Sequence, residues 1–341
     1  MNPTSAAVIG GIPSGLICGF RFLPDTPAQP LECADAAQWL AEEVPENGGF
    51  LWLHFNLTHT GALPWLKQHA ALPEDFFEML TDASHSTRIE RSDQSLIAVV
   101  NDVNFDFAFE SSDISTLWIN VAKRLVITAR QQPLRSVDKL REAANGGQRL
   151  RSSVELLEHL LHAQADVLVE IVRGATERVD RIEDQMLANR LDGKRVRLGA
   201  LRRLLVRLQR LLAPEPAALF RLLQHPPGWV ADLDAQELRQ SSEEFSVVLR
   251  DMNALQERIK LLQEEIAAQV NEDNNKSLFV LTIVTVLALP INIVAGLLGM
   301  NVGGVPLAQH PSGFWIVVGI VMTVTAFAGL LAYRRQRGPQ D

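Results

Sequence analysis

At 341 residues the chain is long enough for two domains, or for one domain with a substantial accessory part. Its hydrophobic content of 47% is ordinary on average, but the apolar residues are concentrated toward the C-terminus. A formal net charge of −8 argues against a nucleic-acid binder and suits a protein that handles cations. Cys18 and Cys33 form no CxxC pair, so neither a disulfide framework nor a zinc knuckle is expected, only reduced cytosolic thiols. Residues 1–11 lack a basic segment followed by an apolar core. No signal peptide is therefore expected, and the bulk of the chain is expected in the cytosol.

Residues 1–145 read as a cytosolic α/β domain. Apolar runs bounded by turn residues predict strands at 16–23, 50–57 and 95–105, and a hairpin of 117–121 with 124–129 around Ala122-Lys123. Helices are predicted at 36–43 and 74–81, the second opening after Pro73. Asn145-Gly146-Gly147 marks the boundary of a helical region over 146–231. There Ser152 or Ser153 caps a helix running to about residue 189, followed by a basic helix from 194 to 212 that carries Arg195, Arg197, Arg202, Arg203, Arg207 and Arg210. Pro214, Pro216, Pro226 and Pro227 then interrupt the chain.

A long stalk helix is expected over 232–300, since no proline or glycine occurs between Asp232 and Pro290. At 1.5 Å per residue it extends roughly 90 Å to the proline. Phe245, Val248, Met252, Leu255, Ile259, Leu262 and Ile266 recur at alternating steps of three and four, a helix-packing seam that needs no ligand.

Residues 278–298 read LFVLTIVTVLALPINIVAGLL and residues 313–333 read GFWIVVGIVMTVTAFAGLLAY, both without charge. Each has about the 20 residues that cross a hydrocarbon core. Lys276 precedes the first span, and Arg334, Arg335 and Arg337 follow the second, whereas the loop over 301–312 has no Lys or Arg. That asymmetry places both termini in the cytosol, including the tail over 334–341, and the loop outside. Trp315 and Tyr333 suit the two interfaces. Two helices enclose no aqueous path, so conduction requires an oligomer.

Asn275, Leu278, Thr282, Thr285, Leu289, Asn292, Gly296 and Gly299 step by three and four along one side of the first span. Asparagine is costly in hydrocarbon, so this file is expected to face a water-filled pore, with Leu278 and Leu289 as apolar constrictions. The alternatives are threonines bonded to their own helix carbonyls and asparagines bonded between helices. Projected into the cytosol, the same side reaches Asp251, Glu265 and Glu272, with Glu264 and Asp273 beside them. In a symmetric oligomer these acids form rings that concentrate cations; in a single chain they are a solvated helix face.

The first span ends in Gly299-Met300-Asn301, followed by Val302-Gly303-Gly304-Val305-Pro306. Locally this is a helix stop. The tripeptide at the end of the first of two C-terminal spans resembles the signature of the CorA metal-ion transporter family. The stretch VLTIVTVLALPINIVAGLLGMNVGGVP, residues 280–306, resembles the zinc-transporter (ZntB) branch of that family. The resemblance implies a funnel-shaped homopentamer with the first span lining a central pore. It implies that Gly299, Met300 and Asn301 form the outer selectivity ring, and that Asn275, Leu278, Leu281, Thr285 and Asn292 face the pore. The periodicity itself prefers Thr282 where the resemblance prefers Leu281. Magnesium-type members carry acids in the outer loop; residues 302–312 have none, which favours zinc.

Zinc prefers imidazole and thiolate donors. Glu155, His159, His162 and Asp166 follow one another on a helix face at steps of four, three and four, a candidate site for regulatory zinc or a polar exposed face. His310 is the one candidate donor in the outer loop, and His54 and His59 are weaker candidates. No cofactor is required; the metal is cargo. The expected partners are further copies of the chain, membrane lipids and divalent cations, and not nucleic acid. The expected function is zinc transport across a bacterial inner membrane. Uptake is the expected direction, because an inside-negative potential draws a divalent ion inward by about 4.6 kcal/mol per 100 mV. Proton coupling has been proposed for the branch. Alternatives are magnesium, cobalt or nickel transport, zinc efflux, and a membrane-tethered coiled-coil sensor or scaffold. No phosphate loop, nucleophile elbow or metal-hydrolase motif points to an enzyme.

Overall fold

The computed structural model describes residues 14–42, 48–81, 87–92, 94–110, 113–187, 193–300 and 310–336. Its N-terminal part alternates strands and helices: β1 (Leu16–Phe22), β2 (Gln29–Pro30), α1 (Cys33–Ala41), β3 (Phe50–Asn56), α2 (Ala62–His69) and α3 (Glu74–Thr81). There follow β4 (Arg88–Ser92), β5 (Ser95–Val103), β6 (Ile114–Ala122), β7 (Leu125–Arg130) and α4 (Arg135–Asn145). The helical part comprises α5 (Ser153–Leu187), α6 (Lys194–Leu212), α7 (Pro214–Gln224), α8 (Asp232–Leu298) and α9 (Gly313–Gln336).

The strands form one seven-stranded sheet in the order β2-β1-β3-β7-β6-β5-β4. The β3–β7 pair is parallel and the other pairs are antiparallel. Because side chains alternate across a strand, β3 sends Phe50 and Trp52 to one face and Leu51, Leu53 and Phe55 to the other. Both faces are covered, which is why the run 50–55 is buried throughout and apolar at every position but His54, rather than alternating. On one face α1, α2 and α3 contribute Ala36, Trp39, Leu66, Phe76 and Met79. On the other, α4, α5, α7 and the start of α8 contribute Val137, Leu157, Leu160, Leu219 and Leu238. The turn into β3 demands glycine: Gly49 has φ +82°, and a Cβ there would lie 1.9 Å from the Phe22 carbonyl oxygen.

The boundary expected at residue 145 falls inside this core. Leu157 and Leu219 share one apolar cluster with Trp52 and Ile119, so the chain divides into compact units of Met1–Leu262 and Gln263–Asp341 instead. The prolines interrupt the helical run as expected, α6 ending at Leu212 and α7 at Gln224, but Pro214 and Pro216 lie inside a helix of their own. Pro214 opens α7, because the first turn of a helix has no use for the amide hydrogen that proline lacks. Helices α2 and α4 and strand β4 also go beyond the sequence expectation.

The expected seam of α8 is buried from Phe245 through Val248, Met252, Leu255, Ile259 and Leu262 to Ile266. The second unit holds the remainder of α8 and α9, both long and apolar enough to cross a membrane. The α8 helix passes through Pro290 without ending. The resulting architecture is an α/β N-terminal domain, a long stalk helix and two C-terminal apolar helices.

Candidate ion pathway

Along α8 the side chains of Asn275, just before the first span, and of Leu278, Leu281, Thr282, Thr285, Leu289 and Asn292 within it are all exposed in the single chain. Four residues of the span, Ile283, Leu287, Ala288 and Val294, are partly covered, and Ala288 lies only about 40° round the helix from Asn292. Leu287 and Val294 are half-buried, and they follow Thr285 and Asn292 by two residues. At about 100° per residue, two residues amount to roughly 200° around the helix. Ile283, Leu287 and Val294 thus lie across the helix from the polar file, every member of which is exposed. Upstream, Ile266 is buried, and Asn275 comes nine residues later, about half a turn round.

Thr282 Oγ1 donates to the Leu278 carbonyl at 2.7 Å, and Thr285 Oγ1 to the Leu281 carbonyl at 2.8 Å. The threonines therefore satisfy their hydroxyl hydrogens within the helix while leaving oxygen lone pairs on the exposed side. Thr323 does the same in α9, to Gly319 at 2.7 Å, so this bond alone does not mark a pore.

The acidic residues are arranged unequally. Glu272 pairs with Lys276 at 2.8 Å, which lowers the pKa of the carboxyl and raises that of the ammonium. Ser277 Oγ donates to the Asp273 carbonyl at 2.9 Å. Glu265 is exposed, and Asp251 lines a groove of about 300 Å³ with Arg173 and Glu177. At the far end, the Gly299 amide donates to the Ala295 carbonyl at 2.9 Å, closing the helix, and the Met300 side chain is half exposed. Asn301 and residues 302–309 lie outside the described residues.

The histidines have structural partners. Ser152 Oγ accepts the Glu155 amide at 3.0 Å, so Ser152 caps α5, and the Glu155 carboxylate reaches back to the Arg151 amide and guanidinium. His159 contacts the Gln148 amide at 3.1 Å, and His162 Nδ1 lies 3.4 Å from Glu244. Glu155, His159 and His162 are drawn to different neighbours, and no group of three or more metal donors converges among the described residues. Within one subunit, capping and polar contacts occupy three donors of the candidate zinc face, Glu155, His159 and His162. His310 caps the start of α9, with Nδ1 accepting the Ser312 amide at 3.2 Å and its carbonyl accepting the Gly313 amide at 2.9 Å.

His54 is buried between Arg130 Nε, 3.1 Å from Nε2, and Thr128 Oγ1, 2.8 Å from Nδ1. Burial, then the nearby guanidinium of Arg130, push its pKa down to about 3. His59 Nδ1 accepts the Gly61 amide at 3.1 Å in a turn. Cys18 and Cys33 are unpaired, and burial pushes the Cys18 thiol up to about 12.

Sequence reasoning missed a buried polar network where β5 meets the helices. Ser136 Oγ donates to Asp102 Oδ2 at 2.5 Å, and Gln164 Nε2 bridges the Asn101 carbonyl at 2.6 Å and Glu215 Oε2 at 3.3 Å. Burial raises the Asp102 pKa to about 6 and that of Glu215 to about 8. No spacing rule links residues so far apart in the chain.

Comparison with known proteins accounts for the whole arrangement. The family model described as "CorA-like Mg2+ transporter protein" matches residues 47–334. The divalent cation transporter CmaX of Pseudomonas aeruginosa is 29% identical over 286 residues, covering 83% of this chain and 86% of the relative. A zinc transport protein ZntB of Yersinia enterocolitica is 23% identical, covering 77% and 80%. The solved full-length CmaX structure superposes with a TM-score of 0.80 at 27% identity, covering 95% of this chain and all of that one. The CorA magnesium transporter of Methanocaldococcus jannaschii superposes at 0.75 with 18% identity over 95% and 99%, a likeness of fold. A sheet domain, a stalk helix with a polar file and two terminal apolar helices are thus the parts of a known whole, and the chain belongs to the CorA-like Mg2+ transporter family.

Proposed function

We propose that this chain is one subunit of a homo-oligomeric divalent-cation transporter whose central pore is lined by α8. The polar file from Asn275 to Asn292, each member of which is exposed in the single chain, carries this reading. Asn275, Leu278, Leu281 or Thr282, Thr285, Leu289 and Asn292 line the path, and Gly299, Met300 and Asn301 form the outer ring. A ring of amide oxygens holds a hydrated divalent ion through its water, without the cost of stripping it. Asp251, Glu265, Glu272 and Asp273 supply negative potential on the cytosolic side. The pentameric state follows the family resemblance, and the apolar helices contact lipid.

Zinc is the proposed cargo, supported by the ZntB-like stretch over 280–306, by the relatives named as zinc transport proteins and by the acid-free loop. Magnesium is the second reading: the outer ring offers oxygen donors, which suit a hard cation better than zinc. The protein resides in the bacterial inner membrane with both termini in the cytosol, takes its ion inward, couples to protons if the ZntB likeness extends that far, and has no enzymatic role.

The test is metal flux into liposomes carrying purified protein, with zinc and magnesium in turn, across a set pH gradient. Wild type is expected to carry zinc in preference, and Asn301→Ala to lose most of that flux. Equal flux in the two proteins refutes the outer ring.

A further inference from the structure

Helix α6 carries seven cationic residues and no acid in a chain of net charge −8, and the transport reading leaves that run unused. The structure gives part of it a setting. Where α6 begins beside the last turns of α5, a cleft of about 520 Å³ opens against the loop between β5 and β6. Three guanidinium groups line it: Arg178 and Arg181 from α5, and Arg197 from the first turn of α6.

None of the three forms an ion pair among the described residues. Two acids of α5 beside them are committed elsewhere: Asp180 holds Arg258 at 2.8 Å, and Glu183 pairs with the same guanidinium. Arg181 Nε donates within its own helix, to the Glu177 carbonyl at 3.2 Å, leaving its terminal nitrogens free of any such bond. Glu110 is the single carboxylate lining the cleft. Like charges brought together in this way repel one another unless an anion sits between them. The start of α6 adds to the same sign, since no acidic residue occupies its first turn.

The wall opposite is built rather than incidental. Phe109 has φ +67°, a left-handed conformation that a bulky side chain rarely adopts. Asp113 holds it there: one carboxylate oxygen accepts the Ala108 amide at 2.8 Å and the Glu110 amide at 3.1 Å, on either side of Phe109. The turned-in ring occupies the space beside Gly174 of α5, where a Cβ would come within 2.9 Å of Phe109 Cζ. The Arg178 guanidinium lies over that ring, 3.6 Å from its centroid. Stacking of this kind fixes the plane of the guanidinium while leaving its edge free to donate.

We propose that this cleft binds a small organic or inorganic anion bearing two or more phosphoryl charges. Its volume lies within the range of about 300–1,000 Å³ used for small ligands. Guanidinium forks match phosphoryl oxygens in pairs, and three forks against one carboxylate call for more charge than a single carboxylate ligand brings. Such a ligand joins α5, α6 and the β5–β6 loop through Arg178, Arg181, Arg197 and the backbone around Phe109.

The test uses the full-length protein in detergent and inorganic pyrophosphate in metal-free buffer, followed by isothermal titration. Wild type is expected to bind one pyrophosphate per chain, more weakly as salt rises. Arg181→Gln and Arg197→Gln are each expected to weaken binding by about ten-fold or more, the value of a charge-assisted hydrogen bond. Arg207→Gln, elsewhere on α6, is expected to bind as wild type does. All are exposed side chains, and unchanged thermal unfolding of the variants confirms that they fold. Absence of binding by wild type overturns the proposal, as does equal weakening by Arg207→Gln, which marks general attraction to a basic helix. Displacement of pyrophosphate by phosphatidylglycerol vesicles also overturns it, assigning the arginines to lipid headgroups.

Discussion

Gln164 Nε2 donates to Glu215 Oε2 at 3.3 Å, with both side chains sealed from solvent. Glu215 Oε1 has no hydrogen-bond partner, and a charged carboxylate there is poorly paid for by one amide. Burial, then the neighbouring Asp102 charge, raise the Glu215 pKa from 4.5 to about 8. A raised carboxyl pKa means that the folded state holds a proton which the unfolded state releases. Stability from this group is complete below about pH 4.5 and is lost as pH rises through about 8. Glu215→Gln keeps the shape and removes the titration. Its melting temperature is expected to exceed that of wild type at pH 8.5, with the gap closing toward pH 5. Each kcal/mol recovered corresponds to about 2–4 °C. Circular dichroism melts across that range check it, and parallel curves would contradict it.

His54 has the opposite sign. Its Nε2 accepts from Arg130, so Nδ1 carries the proton and donates to Thr128 Oγ1, which also accepts from Trp52 Nε1 at 2.9 Å. The ring is held neutral, with its pKa lowered from 6.5 to about 3. A lowered histidine pKa contributes stability above about pH 6.5 that drains away as pH falls toward 3. His54→Gln is expected to flatten this acid limb. It is also expected to cost about 1–3 kcal/mol at neutral pH, because Arg130 loses its acceptor. Urea unfolding at pH 4.5 and pH 7 reads both effects.

Lys276 sits four residues after Glu272 and neutralises it at the entrance to the first span. Lys276→Gln removes the partner of Glu272 and makes the approach to the first span more negative. Cation flux is expected to rise at about 0.01 M salt and to match wild type at 0.15 M, where the screening length falls from about 30 Å to about 8 Å. The melting temperature is expected to stay the same, since both groups are fully exposed. A flux change that persists at high salt would point to gating rather than to charge.

Asn292 separates a pore-lining role from one in helix association. Asn292→Leu is expected to cut metal flux on the order of ten-fold while leaving the oligomer intact by size-exclusion chromatography, because leucine lines a pore without wetting it. If the carboxamide instead bonds to another helix, the oligomer weakens and flux follows assembly.

Much of this molecule was legible in its sequence because the relevant signals are periodic or local. The α8 seam obeys a spacing of three and four, and each residue from Phe245 to Ile266 in that series is buried. Helices α3 and α6 and the central strands β1, β3 and β5 fall where apolar runs and proline predict them. Helix α7 was hidden because its prolines read as breakers, although the first turn is where a helix accepts them. The short β4 gave no sign because its sequence, RIERS, alternates too briefly; its pairing with β5 supplies the stability that propensity does not.

The same contrast divides the site. Composition and period by themselves determined the two long apolar helices, the polar file and the helix end at Gly299, because a helix answers to its own residues one turn at a time. Tertiary structure alone decided what the scattered polar side chains do. It gave Glu155 to a helix cap, His54 to a buried network, Glu215 to a core position that keeps its proton, and three arginines to one cleft. Each of those outcomes depends on which distant group lies within about 3 Å, and hydrogen bonds and ion pairs, unlike hydrophobic periodicity, leave no regular mark along the chain.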